Sequence, residues 1–161
     1  MTTPIILRRM DKEDFDVYSV RAIPLLAAAQ AAAYGTTLEG ARNSAETAFR
    51  KIDADAEPAA TGQHLYVVEA DGAPVGAVWF DIRQSGKEHY AYLYDWVIWP
   101  EHRGKGYGKA AMQATEQRAR ENSASRLMLN VFTHNRFGAD LYQRYGFVTA
   151  SSILVKRIDT E

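Results

Sequence analysis

Trp96-Val-Ile-Trp-Pro-Glu-His-Arg-Gly-Lys-Gly-Tyr-Gly108 is the stretch on which the fold turns. It starts inside Tyr90–Trp99, an aromatic and β-branched run that reads as a strand, and Pro100 closes that strand. Glycines at 104, 106 and 108 then occupy alternate positions. Without Cβ atoms there, the backbone can curl and aim several N–H groups at one spot. A helix from about Gly106 to Asn122 begins at the same place, so its positive dipole end reinforces the spot. Arg103, Lys105 and Lys109 add charge, and with Gly104 and Tyr107 they predict a pyrophosphate or polyphosphate cradle. The plainer alternative is a Gly-rich turn carrying solvated cations.

Two common phosphate motifs fit poorly. A nucleotide P-loop needs four residues between its glycines and then Lys-Ser/Thr. Gly104 and Gly108 are separated by three residues, and Lys109 is followed by Ala110, so no hydroxyl is placed for magnesium. A dinucleotide fingerprint needs G-x-G-x-x-G in an early βαβ unit. The spacing here is G-x-G-x-G, after three predicted antiparallel strands.

Working outward, the chain upstream of the motif reads as a meander: Leu65–Glu69, an Asp71-Gly72 hairpin turn, Val75–Ile82, a turn at Gln84–Lys87, and Tyr90–Trp99. Further upstream come a short strand at Ile5–Leu7 and an Ala-rich helix, Phe15–Tyr34, in which Pro24 predicts a break or kink. A turn at Gly35–Gly40, a second helix at Ala41–Ile52 and a loop at Asp53–Gly62 follow. Downstream, Leu127–Phe132 reads as a strand and Arg136–Tyr145 as a short helix capped by Gly146. Phe147 onward predicts one or two final strands, including Ile153–Ile158. The length of 161 residues fits one domain over 1–161, with acceptor-side elements in 1–62 and the sheet core in 63–161.

Composition excludes several classes. A net charge of −1 argues against a nucleic-acid partner. The chain has no cysteine, which removes disulfides, thiolate metal sites and a Cys nucleophile. The four histidines, His64, His89, His102 and His134, lack ligand spacing, so no metal is expected. No apolar run approaches a membrane span and no signal peptide is evident, so a cytoplasmic protein is expected, for which a homodimer is compatible.

The motif, followed downstream by Asn135, Ala139, Tyr142 and Gly146-Phe147, resembles the GNAT superfamily of N-acetyltransferases in both its blocks and their order. Arg103, Gly106 and Gly108 match that family's Arg/Gln-x-x-Gly-x-Gly/Ala pattern. The resemblance is specific over about Leu65–Phe147 and only topological over the first 60 residues. It implies an α/β fold: a central mixed, mostly antiparallel sheet of about seven strands flanked by about four helices. It also implies transfer of acetyl from acetyl-CoA, as co-substrate, to an amine of a small molecule or peptide.

The resemblance assigns roles. Backbone groups of Trp96, Val97 and Ile98 would pair with the pantetheine arm, the Ile98 N–H would polarise the thioester carbonyl, and Asn135 would contact the cofactor or simply cap its helix. Tyr142 is the candidate general acid for the departing thiolate. Family members often carry a glutamate base on the strand before the motif; here Tyr92 or Tyr94 takes its place. Asp95 is the one carboxylate within Tyr90–Trp99, but strict alternation sets it opposite Tyr90, Tyr92, Tyr94 and Trp96 unless a bulge re-aims it. A water chain past Tyr94 is the other route for the proton. The three tyrosines are candidates for an acceptor wall suited to apolar or cationic amines. A longer acyl-CoA as donor, or an acyl-CoA sensor without turnover, are the alternatives.

Overall fold

A computed structural model describes residues 3–158. The Asp71-Gly72 turn sets the local pattern: both residues have positive φ (51° and 76°), the combination that a two-residue hairpin needs. It joins β2 (Gln63–Ala70) to β3 (Ala73–Ser85), and a second turn joins β3 to β4 (Glu88–Ile98). β1 (Ile5–Arg9) pairs antiparallel with β2, and β5 (Ala124–Leu129) pairs parallel with β4. The sheet is mixed, in the order β1-β2-β3-β4-β5.

Helices cover both faces. α1 (Lys12–Tyr34) starts at an Asp11/Asp14 capping box and ends at Gly35, whose φ is 65°. It runs through Pro24 without the predicted break. Pro24 removes only the hydrogen bond to Val20, and both residues are exposed, so water can serve the freed carbonyl. α2 (Leu38–Arg50) is capped by Thr37, three residues ahead of its predicted start. A short α3 (Pro58–Thr61) interrupts the predicted loop. α4 (Tyr107–Glu121) follows the Gly-rich turn, and α5 (Arg136–Arg144) is capped by the Asn135 side chain.

The sheet divides two cores. Val68, Val78, Phe80, Leu93 and Trp96 pack with Met112 of α4 on one face. Leu65, Val67 and Trp79 pack with Phe15 and Tyr18 of α1 and Phe49 of α2 on the other. Among the described residues the sheet has five strands rather than about seven, because residues 147–158 form none. The alternating apolar residues are present there, but a strand exists only as a ladder, and among the described residues nothing pairs with this segment.

Candidate active site

The site is built by a defect in β4. Opposite Trp79 and Phe80 the register slips, so that Trp79 faces Asp95 and Phe80 faces Leu93, with Tyr94 as the extra residue. This bulge inverts the alternation beyond it. Ala91 and Leu93 point into the α4-side core and so do Trp96 and Ile98. Asp95 instead turns toward α1, where the Tyr18 hydroxyl donates to its Oδ2 at 2.7 Å. Strict alternation had put Asp95 on the face away from the tyrosines and Trp96 with them; the bulge reverses both placements.

Asp95 is half-buried in the cavity wall, where loss of solvent raises its carboxyl above the ordinary carboxylate range; the hydrogen bond from Tyr18 pulls it partly back. Tyr142 lies on α5, with its ring centroid 6.2 Å from that of Trp96. Burial, and then the charge of Asp95, push its phenol up to about 12, so it holds its proton throughout the physiological range.

β4 and β5 pair only as far as Leu93 and Leu129, while β4 continues to Ile98. On its other edge Trp99 donates to the carbonyl of Val75 (2.9 Å). Trp96 and Ile98, one residue out of phase with those bonds, therefore direct their N–H groups toward the opening between β4 and β5. Arg103 closes the lower side of this opening by donating from Nε to the Ile98 carbonyl at 2.9 Å.

At the mouth, Gly104 and Gly106 have φ of 76° and 80°, values that only glycine adopts cheaply. Gly106 is the N-cap of α4 and supplies no side-chain cap, so the first N–H groups of the helix stay open. Gly108 has a packing reason: a Cβ there would lie 2.8 Å from the Tyr145 hydroxyl.

One cavity of about 930 Å³ joins these parts. Its cofactor end is lined by Arg103, Gly104, Gly106, Tyr107, Gly108, Lys109 and Asn135, its middle by Asp95, Trp96, Val97, Ile98 and Tyr142. Its far end lies between Tyr92 and Tyr94 of the sheet and Tyr18, Ala22, Leu26 and Phe49 of the helices. Two expected residues stand apart. Lys105 is exposed and outside the cavity wall, and Tyr90 lies beyond it with the Arg126 guanidinium 5.5 Å from its ring. Asn135 accepts from the Gly138 N–H at 2.9 Å, the capping role that needs no ligand. Tyr18, Phe49, Gln63 and Trp79 were missed. The available signal for Tyr18 was its place on the Phe15/Tyr18/Ala22 stripe, which reads as core until its hydroxyl partner is known. Among the described residues no side-chain cluster suits a metal ion, and no helix is long and apolar enough to cross a membrane.

A splayed sheet, an open helix N-terminus and a tyrosine helix beyond it define an acetyltransferase framework, and comparison with known proteins agrees. A family model described as the acetyltransferase (GNAT) family matches residues 31–147, and the chain belongs to that family. It is similar to the uncharacterized N-acetyltransferase YycN of Bacillus subtilis, 33% identical over 84 residues that cover 52% of this chain and 54% of YycN. The crystal structure of YycN superposes with a TM-score of 0.83 at 27% identity, covering 97% of this chain and 99% of that one. Another relative, the uncharacterized N-acetyltransferase YdgE of the same organism, is 24% identical over 94% of this chain and 97% of its own length. The fold is shared with AAC(6')-Iy, solved in complex with a CoA-based bisubstrate analogue, at a TM-score of 0.59 and 14% identity, covering 97% of this chain and 99% of that one.

Proposed function

We propose that this protein is an N-acetyltransferase that uses acetyl-CoA and a primary amine on an apolar, carboxylate-free body. The observation that carries the reading is the single cavity that leads from the open N-terminus of α4, past the splay of β4 and β5, to the half-buried Asp95. The turn fits a pyrophosphate: two left-handed glycines, uncapped N–H groups, and the Arg103 and Lys109 cations beside them. Bound there, acetyl-CoA supplies an acetyl group activated as a thioester.

The chain's own residues do the rest. The N–H groups of Trp96 and Ile98 orient the pantetheine arm, and the Ile98 N–H stands as oxyanion donor. Asp95, steadied by Tyr18, accepts the amine proton. Tyr142 keeps its proton at Oη for the departing sulfur. No cysteine is present to carry an acyl group, which favours direct attack by the amine.

The acceptor class follows from what the far end lacks. Its wall is Tyr18, Phe49, Trp79, Tyr92 and Tyr94, with Ala22 and Ala29 leaving room. Three of its polar groups are already engaged. Tyr18 is bonded to Asp95, the Trp79 Nε1 to Gln63 at 2.6 Å, and the Tyr94 hydroxyl to Asp81 and Arg83 at 2.7 Å each. Asp95 is the charge that faces this end, and no cation lines it to receive a carboxylate. Aromatic faces around one carboxylate favour an ammonium group on a hydrophobic body.

Thiol release from acetyl-CoA, measured across a panel of arylalkylamines, alkylamines, amino acids and polyamines with mass analysis of the products, tests this. Turnover concentrated in the arylalkyl and alkyl amines supports the reading. Tight acetyl-CoA binding with no amine-dependent thiol release identifies an acyl-CoA sensor instead. Preferred turnover of amino acids or polyamines overturns the acceptor class alone.

A further inference from the structure

Gln63 opens β2 and is half-buried, on the same sheet face as Leu65 two residues on. Its side chain lines the cavity beside Trp79 and Tyr94, at the acceptor end. The Trp79 indole donates to its Oε1 at 2.6 Å. An indole N–H can only donate, so the atom that faces it has to be the amide oxygen, and the NH2 is turned the other way. Nothing among the described residues accepts from that Nε2. Asp81, directly across on β3, takes the Arg83 Nε at 3.0 Å and the Tyr94 hydroxyl at 2.7 Å instead. Nor is the Nε2 sealed in. Among the described residues, the buried side-chain atoms left without a partner are His64 Nδ1 and Trp96 Nε1. The Gln63 amide therefore keeps two free donors at the acceptor wall, held in place by an aromatic residue of that same wall.

The sheet register shows what they could meet. Asp95 pairs with Trp79 across β4 and β3, Trp79 pairs with Leu65 across β3 and β2, and Gln63 lies two residues further along. Carboxylate, indole and amide thus follow one another on one face, with Asp95 and Gln63 two strand spacings apart, about 10 Å. We propose that Gln63 is a specificity-determining residue: its Nε2 donates to an oxygen on the end of the acceptor remote from the amine. The preferred acceptor is then an arylalkylamine with a hydroxyl, ether or carbonyl oxygen at the far end of its ring. This rests on the acceptor class given above and narrows it. With the ammonium at Asp95 and the ring on Trp79 and Tyr94, whose centroids are 4.9 Å apart, the outermost ring substituent of a phenylethylamine falls at the Gln63 amide. A bare ring there would strip the amide of water and leave its donors unpaired, whereas an oxygen takes the water's place. Gln30 and Asn130 also line the cavity, but no hydrogen bond to the described residues fixes which way their amides face.

The test is thiol release from acetyl-CoA with four phenylethylamines that differ only at the ring position farthest from the amine: hydrogen, methyl, methoxy and hydroxyl. The methyl compound controls for size. The wild type should favour methoxy and hydroxyl over methyl roughly 3- to 10-fold in kcat/KM, the range of one neutral hydrogen bond. Gln63→Glu keeps an oxygen for the Trp79 indole and removes the donor. It should lose the methoxy advantage and gain on a phenylethylamine with an aminomethyl group at the same position. A merely structural defect would slow all the amines alike and would not invert their order. Gln63→Leu should lose the methoxy advantage without the gain on the diamine. Equal kcat/KM for methyl and methoxy in the wild type overturns the inference and leaves the acceptor class standing. A methoxy preference that persists in Gln63→Glu overturns it as well, and assigns the oxygen to another group. No amine-dependent thiol release from any of the four overturns the acceptor class, and this inference with it.

Discussion

Asp95 and Tyr142 are two oxygen acids shifted by burial toward their neutral forms, yet their proposed tasks are opposite. Tyr142 must arrive at the reaction protonated, and a phenol at about 12 does so at every pH at which the protein is handled. Replacing it by Phe keeps the ring against Trp96 and Phe147 and removes only the hydroxyl. We expect kcat to fall roughly 10- to 10³-fold with acetyl-CoA affinity retained, as measured by steady-state kinetics beside calorimetry. Full kcat with chemistry rate-limiting would reduce Tyr142 to a packing residue. Asp95 must arrive ionised, against its burial. Its folded pKa lies above the unfolded value, so the native state holds the extra proton more tightly. The stabilisation this gives is complete below the ordinary carboxylate range and is lost as pH rises through the raised folded pKa. Asp95→Asn should therefore melt higher than the wild type at pH 7, with the gap closing toward pH 3, while its kcat falls. A variant that melts lower at pH 7 and turns over normally would make Asp95 a structural hydrogen-bond acceptor.

At the scale of elements, the Gly-rich turn is the feature most readable from sequence, since alternate glycines between a strand and a helix leave few other conformations. Gly106, at φ 80° and at the head of α4, puts open N–H groups where an anion would sit. Gly106→Val should cut acetyl-CoA affinity strongly by calorimetry, while Gly62→Val, equally strained at φ 73° but in a remote loop, leaves it unchanged. Similar losses in both variants would trace the effect to general strain. The elements from β2 to α5 were legible because each carries its own signal: Asp71-Gly72 at the hairpin, the glycines before α4, Asn135 before α5. Two things were not. The bulge at Tyr94 has no local signature, because nothing in Tyr-Leu-Tyr-Asp-Trp marks where pairing will slip; it is set by how β3 fits against it. The closing strands were read from apolar alternation in Ile153–Ile158, which reports what a segment wants to bury and says nothing of whether a neighbouring strand is there to pair with it.

Across the whole molecule, the sheet separates two jobs, and the bulge in β4 is where they meet. The α4-side face carries the turn, Trp96 and Tyr142; the α1- and α2-side face carries Tyr18, Phe49, Trp79 and the tyrosine wall. A cavity that crosses from one to the other allows acceptor contacts to change without disturbing the cofactor end. Tyr94 provides the cleanest trial. It is 41% exposed, it packs on Trp79 with centroids 4.9 Å apart, and it lies on the far side of Asp95 from the Gly-rich turn. Tyr94→Ala removes that wall and one hydrogen bond of Arg83, which keeps its ion pair with Asp81 at 3.0 Å and its place 4.0 Å over the Tyr92 ring. The KM for an arylalkylamine should rise several-fold, because binding shared by ground and transition states is lost, while the KM for acetyl-CoA stays within about twofold. A Tyr94→Ala enzyme whose sole defect is acetyl-CoA affinity would mean that the tyrosine wall serves the cofactor, and that the acceptor enters elsewhere.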